Sequence, residues 1–242
     1  MPLLYGLRTS PWTAKVRWAL DHHRVAYRYR EHVPLLGELS LRWRAGSLRR
    51  KATVPLFVDG DLLLTDSLSI ARHADAVGAG TPLLPQPRAE AILELDAEGD
   101  AILSAARGRV LARVGANADA RREALPPGMP RVLGPTTALA TRFMARKYQS
   151  DADSDDRMAR AVRPRLEALR ARLSGRRYLA DEFSYADVSV ASVLHCLRPP
   201  REPWCTFGAG MREAWTHDGL AREFEDLLAW RDGIFEAHYQ PA

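Results

Sequence analysis

The stretch Ser10-Pro11-Trp12-Thr13-Ala14-Lys15 lies between a short apolar run, Pro2–Leu7, and an amphipathic segment, Val16–His22. The apolar run predicts a buried strand, and Pro11 suits the first turn of a helix over Pro11–His22, so the stretch marks a strand-to-helix junction. Cysteines at positions 10 and 13 would give a dithiol motif, because a thiolate lowered in pKa at a helix N-terminus attacks disulfides. Both sulfur positions instead hold hydroxyls, Ser10 and Thr13. A serine hydroxyl cannot exchange disulfides, but it can hydrogen-bond a thiolate that arrives on a ligand. The chain is therefore read as one that borrows its sulfur.

Working outward, Tyr27–His32 alternates as a strand does, and Val54–Val58 and Leu62–Leu64 are apolar runs separated by Asp59-Gly60-Asp61, a hairpin signal. A helix is predicted over Ser67–Ala76, and residues 35–48 read as irregular to helical. The order is β-α-β-(α)-β-β-α. Gly78, Gly80, Pro82, Pro85 and Pro87 then mark a linker. No strong strand candidate follows. A long helix is expected over Arg88–Val114, a Pro/Gly-rich break at 126–135, and further helices near 136–148, 154–174, 185–197 and 218–237. The expected organisation is an α/β unit over 1–78, a linker over 79–87 and an all-helical unit over 88–242.

Composition is that of a globular protein, 46% hydrophobic and 27% charged in 242 residues, with ample material for a core. The net charge of +5 is carried by arginine, since Lys15, Lys51 and Lys147 are the only lysines. The arginines are interleaved with acids and no basic-aromatic patch appears, which argues against nucleic acid. The dense run Arg42–Lys51 is a solvated face or an attractor of anionic small molecules. Cys196 and Cys205 have no metal spacing, His22-His23 is adjacent rather than i, i+4, and no metal is expected. No apolar run is long enough for a bilayer and the start lacks a signal-peptide layout, so a cytoplasmic protein without membrane contact is expected.

Two motifs open helices. Thr65-Asp66-Ser67 offers three capping residues where one is needed. Free N–H groups, a hydroxyl and a carboxylate at a helix start suit an amino-acid head group, with Ser67 toward its carboxylate and Asp66 toward its ammonium. Ser184-Tyr185-Ala186-Asp187 reads as a capping box, with Phe183 and Val188 as its hydrophobic staple and Asp187 as a buried structural residue.

These blocks together, with Ser10-Pro11-Trp12-Thr13-Ala14-Lys15-Val16-Arg17 and Val54-Pro55-Leu56, resemble the cytosolic glutathione S-transferases of the serine type, in order and over about 190 residues. The resemblance implies a thioredoxin-like α/β N-terminal domain and an all-α C-terminal domain. It implies that Ser10 holds the glutathione thiolate, that Val54 offers main-chain bonds to the cysteinyl part with Pro55 in cis, and that Asp66 and Ser67 grip the γ-glutamyl end. Arg49-Arg50-Lys51-Ala52-Thr53 departs from the family's Asn-Pro-x-Gly-Lys-type run, leaving Lys51 or Arg50 for the glycyl carboxylate. Asp66 stands where glutamate is commoner. Thr9, Thr13 and Tyr5 are rival hydroxyls, Thr13 being better explained by support of the helix start and Tyr5 by packing.

An electrophile pocket is expected between the domains, lined by Trp12, Leu103, Arg107 and Leu111, with Phe143 and Tyr148 from the 136–148 helix. Arg107 and Arg113 either attract an anionic second substrate or are solvated. The resemblance also implies a homodimer across the helices starting at Ser67 and Arg88. The function so implied is conjugation of glutathione, as co-substrate, to a hydrophobic electrophile. The alternatives are a non-catalytic transferase-like binding protein and a zeta-type glutathione-dependent isomerase, the latter disfavoured because Pro11-Trp12 follows Ser10 in place of Ser-Cys.

Overall fold

The apolar run near the N-terminus forms strand β1 (Leu3–Gly6), and Pro11 at the first helical position opens α1 (Pro11–His22), as the sequence predicts. The computed structural model describes residues 1–34, 37, 41, 53–126, 128, 130, 136–147 and 155–239. Strand β2 (Arg28–Glu31) pairs parallel to β1, and the hairpin of β3 (Leu56–Asp59) and β4 (Leu62–Leu64) adds antiparallel strands on its other side, giving the order β2-β1-β3-β4. Asp59 pairs with Leu62, so Gly60 and Asp61 form the turn. Gly60 has φ +57°, a conformation that its missing Cβ makes inexpensive at the first central position of a tight hairpin turn.

Alternation along β1 divides its side chains between two faces. Leu4 packs with Val16 and Leu20 of α1, Phe57, and Ile70 and Ala74 of α2 (Ser67–Val77). Tyr5 points to the opposite face, against Leu41 and Leu56, which supports its reading as a packing residue. Helix α1 is buried on two sides. Val16 and Leu20 meet the sheet, while Trp18 and Ala19 join the large helical core with Ile92, Ile102 and Val190.

After β4 the described chain is helical apart from one isolated bridge, Ala180 with Glu182. The long helix is α3 (Ala89–Ala116); α4 (Ala118–Glu123), α5 (Thr136–Lys147), α6 (Asp155–Leu173) and α7 (Tyr185–Val193) follow. The last three are α8 (Ala209–Trp215), α9 (Asp218–Glu223) and α10 (Glu225–His238). The helix expected over 218–237 is thus two helices broken at Phe224, whose backbone (φ −115°, ψ 37°) is not helical. The short α4 and α8 are not apparent from periodicity. Glu123 explains both: its carboxylate accepts the backbone N–H groups of Gly210 (3.1 Å) and Met211 (2.8 Å), so the end of α4 caps the start of α8.

The Pro/Gly-rich segment after α2 is pinned. Asp75 accepts the N–H groups of Leu83 and Leu84, both at 2.9 Å, and Tyr185 N–H donates to Leu83 O at 2.8 Å. The Ser184–Asp187 capping box is formed as read. Asp187 is fully buried and also accepts Leu179 N–H at 2.9 Å, while burial pushes its carboxyl up to about 6. Arg109, 1% exposed, reaches the end of α8 by donating to Thr216 O at 2.7 Å and pairs with Asp155 at 2.7 Å. The residues 35–36, 38–40 and 42–48, much of the irregular-to-helical stretch, lie outside the described residues.

Candidate functional site

Ser10 is the N-cap residue of α1, in extended conformation (φ −94°, ψ 123°), and its side chain makes no capping hydrogen bond. Its carbonyl accepts Ala14 N–H at 3.0 Å, the first bond of the helix. Pro11 has no N–H, so Trp12 and Thr13 carry the leading backbone donors, beside the Ser10 hydroxyl. Thr13 is 1% exposed and its Oγ1 accepts Leu7 N–H at 3.1 Å, which holds the turn before Ser10. Its structural reading therefore agrees with the geometry. Thr9 remains beside Ser10 in the cavity wall.

The cavity has a volume of about 290 Å³. Ser10, Val54, Pro55, Asp66 and Ser67 line it together with Trp12, Leu103, Arg107 and Leu111. Four separated segments of sequence therefore meet at one place. The Val54–Pro55 peptide is cis. Asp66 is the N-cap of α2: its Oδ1 accepts Ser69 N–H at 2.8 Å, and the residue lines the cavity. Arg107 lies over the Trp12 ring at 4.6 Å, and Trp12 Nε1–H donates to Asp100 at 2.9 Å.

Some sequence expectations fall on residues outside those described, and two others differ from the structure. Lys51, Arg49, Arg50, Ala52 and Tyr148 lie outside the described residues. Met144, not Phe143, is the α5 side chain in the cavity wall. Arg113 is no part of the wall; it faces Asp155 at 3.7 Å.

The periodicity reading also missed Asp100 and Trp215, which line the cavity. Trp215 belongs to the unread α8. Asp100 had a signal: it follows Asp96 by one helical turn on a helix otherwise read for its apolar residues. Both carboxylates meet Lys15, which is fully buried, at 2.7 Å each, and Ser189 Oγ stands 3.2 Å from its Nζ. Lys15 thus ties α1 to α3 and α7 directly behind the cavity.

Neither native thiol is suited to nucleophilic work. Burial pushes Cys196 up to about 12 and raises Cys205 above its ordinary value.

Comparison with known proteins then bears on the whole arrangement. Residues 4–82 match the family model described as glutathione S-transferase, N-terminal domain. Glutathione S-transferase 4 of Zea mays is 28% identical over 198 residues, spanning 80% of this chain and 76% of that protein. The chain is thus similar to glutathione S-transferases, through an N-terminal domain match over residues 4–82 and a relative aligned along most of its length. The relatives it matches are named as transferase enzymes. The fold likeness extends through the helical part. A glutathione transferase from Phanerochaete chrysosporium superposes with a TM-score of 0.67 at 17% identity, over 100% of this chain and 99% of that one. A glutathione S-transferase from Methylobacillus flagellatus, solved with glutathione bound, gives 0.59 at 18% identity, over 97% and 94%.

Proposed function

We propose that the protein conjugates the glutathione thiolate to a hydrophobic electrophile, with the Ser10 hydroxyl donating a hydrogen bond to the sulfur. The observation that carries this reading is the single cavity in which Ser10, Val54-Pro55 and Asp66-Ser67 converge with Trp12, Arg107 and Leu111. The residues fit the tripeptide. Asp66 Oδ2 meets its ammonium, the leading N–H groups of α2 and the Ser67 hydroxyl meet the γ-glutamyl carboxylate, and the Val54 main chain meets its cysteinyl part. Lys51 is kept as the candidate for the glycyl carboxylate.

The energies are adequate. Lowering a thiol from about 8.5 by ~2 units requires roughly 2.7 kcal/mol of preference for the anion. A hydrogen bond to a charged group contributes about 1.5–3 kcal/mol, and a helix N-terminus up to ~2 kcal/mol. Ser10 at the start of α1 combines both. The same reading includes a cytoplasmic homodimer joined through α2 and α3, and a division of the chain at 79–87 between units 1–78 and 88–242. No helix among the described residues is long and apolar enough to cross a membrane.

The test is glutathione affinity and turnover of a generic aryl halide by the native protein and by Ser10→Ala. The proposal expects millimolar-or-tighter binding, and conjugation falling about tenfold to a hundredfold in the variant. Absence of glutathione binding would favour the non-catalytic alternative. Retained conjugation in Ser10→Ala would transfer the role to Thr9.

A further inference from the structure

A separate cavity of about 180 Å³ shares only Thr9, Ser10 and Pro11 with the first. Arg8, the N-terminal half of α1, His195, residues 203–207 and Tyr239 complete its walls. Its charge is one-sided. Arg8 and Arg17 line it, no carboxylate is among its described lining residues, and neither guanidinium has an ion pair with a described residue. Burial keeps the other titratable groups of the wall uncharged near neutral pH. It pushes the Cys205 thiol and the Tyr239 phenol up, and the His195 imidazole down to about 3. A cavity with guanidinium groups and no acid attracts an anion.

The uncommitted polar atoms define that anion more closely. Arg17 lies over the Tyr29 ring at 5.3 Å, and its Nε–H donates to Tyr27 Oη at 3.4 Å. Asp21, one helical turn on, accepts the Tyr27 hydroxyl at 3.0 Å instead of pairing with the guanidinium. Arg17 Nη1 and Nη2 therefore make no hydrogen bond to a described residue, and such a fork matches the two oxygens of one carboxylate. Arg8 adds charge but is committed, its Nη2 donating to Glu123 O and Leu125 O. His195 is 6% exposed and its Nδ1 lies 2.5 Å from Ser192 O, so Nδ1 carries the proton and Nε2 the lone pair. Nε2 has no partner among the described residues, and an unpaired acceptor at such depth favours a ligand that brings a donor. The Phe235 ring centroid is 6.3 Å from that of His195 and 5.7 Å from that of Tyr239, which keeps the two polar ends within reach of one aromatic acid. Trp204 and Phe207 add flat aromatic surface to the wall.

We propose that this cavity binds a small aromatic carboxylate that bears a hydroxyl, of the hydroxybenzoate class, with its carboxylate on Arg17, its ring against Trp204 and its hydroxyl donating to His195 Nε2. Pockets for drug-sized ligands begin at about 300 Å³, so the smaller volume suits a compact acid and not an elongated one. A phosphate would bring a further charge and more oxygens than one guanidinium fork satisfies.

The test is calorimetric titration at neutral pH with 4-hydroxybenzoate, benzoate and 4-hydroxybenzamide. The native protein is expected to bind 4-hydroxybenzoate with a millimolar or tighter Kd, benzoate about fivefold more weakly for want of the hydroxyl, and the uncharged amide at least about tenfold more weakly. Arg17 lines only this cavity and Arg107 only the first. Arg17→Met should weaken 4-hydroxybenzoate at least about tenfold, and Arg107→Met by less than about twofold. In His195→Phe the two acids should bind alike, and a retained preference for the hydroxylated one overturns the assignment of its hydroxyl. Equal binding of all three ligands by the native protein, or no binding of 4-hydroxybenzoate, overturns the inference whether or not the variants fold. Loss of affinity in Arg107→Met with retention in Arg17→Met would put the acid in the first cavity and overturn it as well. None of these outcomes depends on glutathione.

Discussion

Replacing Lys15 by methionine keeps much of the volume of the side chain and removes its charge at the junction of α1, α3 and α7. In the native protein Nζ is fully buried and stands 2.7 Å from both Asp96 and Asp100. The two carboxylates are not equivalent. The Asp96 side chain is 8% exposed and keeps only Ser189 Oγ–H at 2.5 Å, whereas Asp100 is 43% exposed and can be solvated. One carboxylate is therefore stranded, and removing one partner of a buried pair costs about 3–5 kcal/mol. Against a total stability of roughly 5–15 kcal/mol this is a large share. With about 2–4 °C per kcal/mol for a chain of this size, Tm should fall by roughly 6–20 °C. Urea titration gives the same loss as a shift in midpoint without a change in slope. Lys15→Met combined with Asp96→Asn removes the stranded charge and should recover at least ~1 kcal/mol. A Tm loss below about 2 °C in Lys15→Met, or strict additivity in the double variant, would refute the reasoning.

Two buried groups near α7 make opposite pH predictions. Asp187 has its carboxyl raised from 3.8 to about 6 by burial, so the folded state binds the extra proton between those values and stability falls as pH rises through that window; Asp187→Asn should abolish this component in urea midpoints measured across pH. His195 is lowered by burial from 6.5 to about 3, so the unfolded state binds the extra proton and stability falls as pH falls through that range; His195→Phe should flatten it, and an unchanged profile would show that the imidazole is not held neutral. A Cβ at Gly6 would press on Thr13 Cγ2 and lie 2.9 Å from its Oγ1. Gly6→Ala should therefore cost about 1–3 kcal/mol and, by disturbing the Thr13–Leu7 bond before Ser10, weaken glutathione binding measured by calorimetry; unchanged stability and affinity would contradict it.

The parts of the fold that were legible in the sequence are those whose signals are local. Ser10-Pro11 starts α1, Asp59-Gly60-Asp61 makes the hairpin turn, and Asp66 caps α2 through Ser69. The convergence of the Ser10, Val54-Pro55 and Asp66-Ser67 blocks on one cavity was implied by the family resemblance and not by any local signal. Features held by distant partners were not legible. Helix α8 depends on Glu123, and the break at Phe224 interrupts an apolar pattern that continues through it. The buried stripe of α3 includes Asp96, Gly99 and Arg109, so hydrophobicity alone misplaces its face. Lys15 was visible only as one residue of a motif; its partners lie 81 and 85 positions away.

The central claim is that Ser10 holds the sulfur of glutathione as a thiolate. Ultraviolet absorbance of the thiolate, followed against pH with saturating glutathione on the native protein and on Ser10→Ala, measures this directly. The account predicts a bound-thiol pKa about two units below the free value of ~8.5 in the native protein and a return of at least one unit toward it in the variant. A bound thiol that titrates at its free value in the native protein, or equally in both proteins, would contradict it.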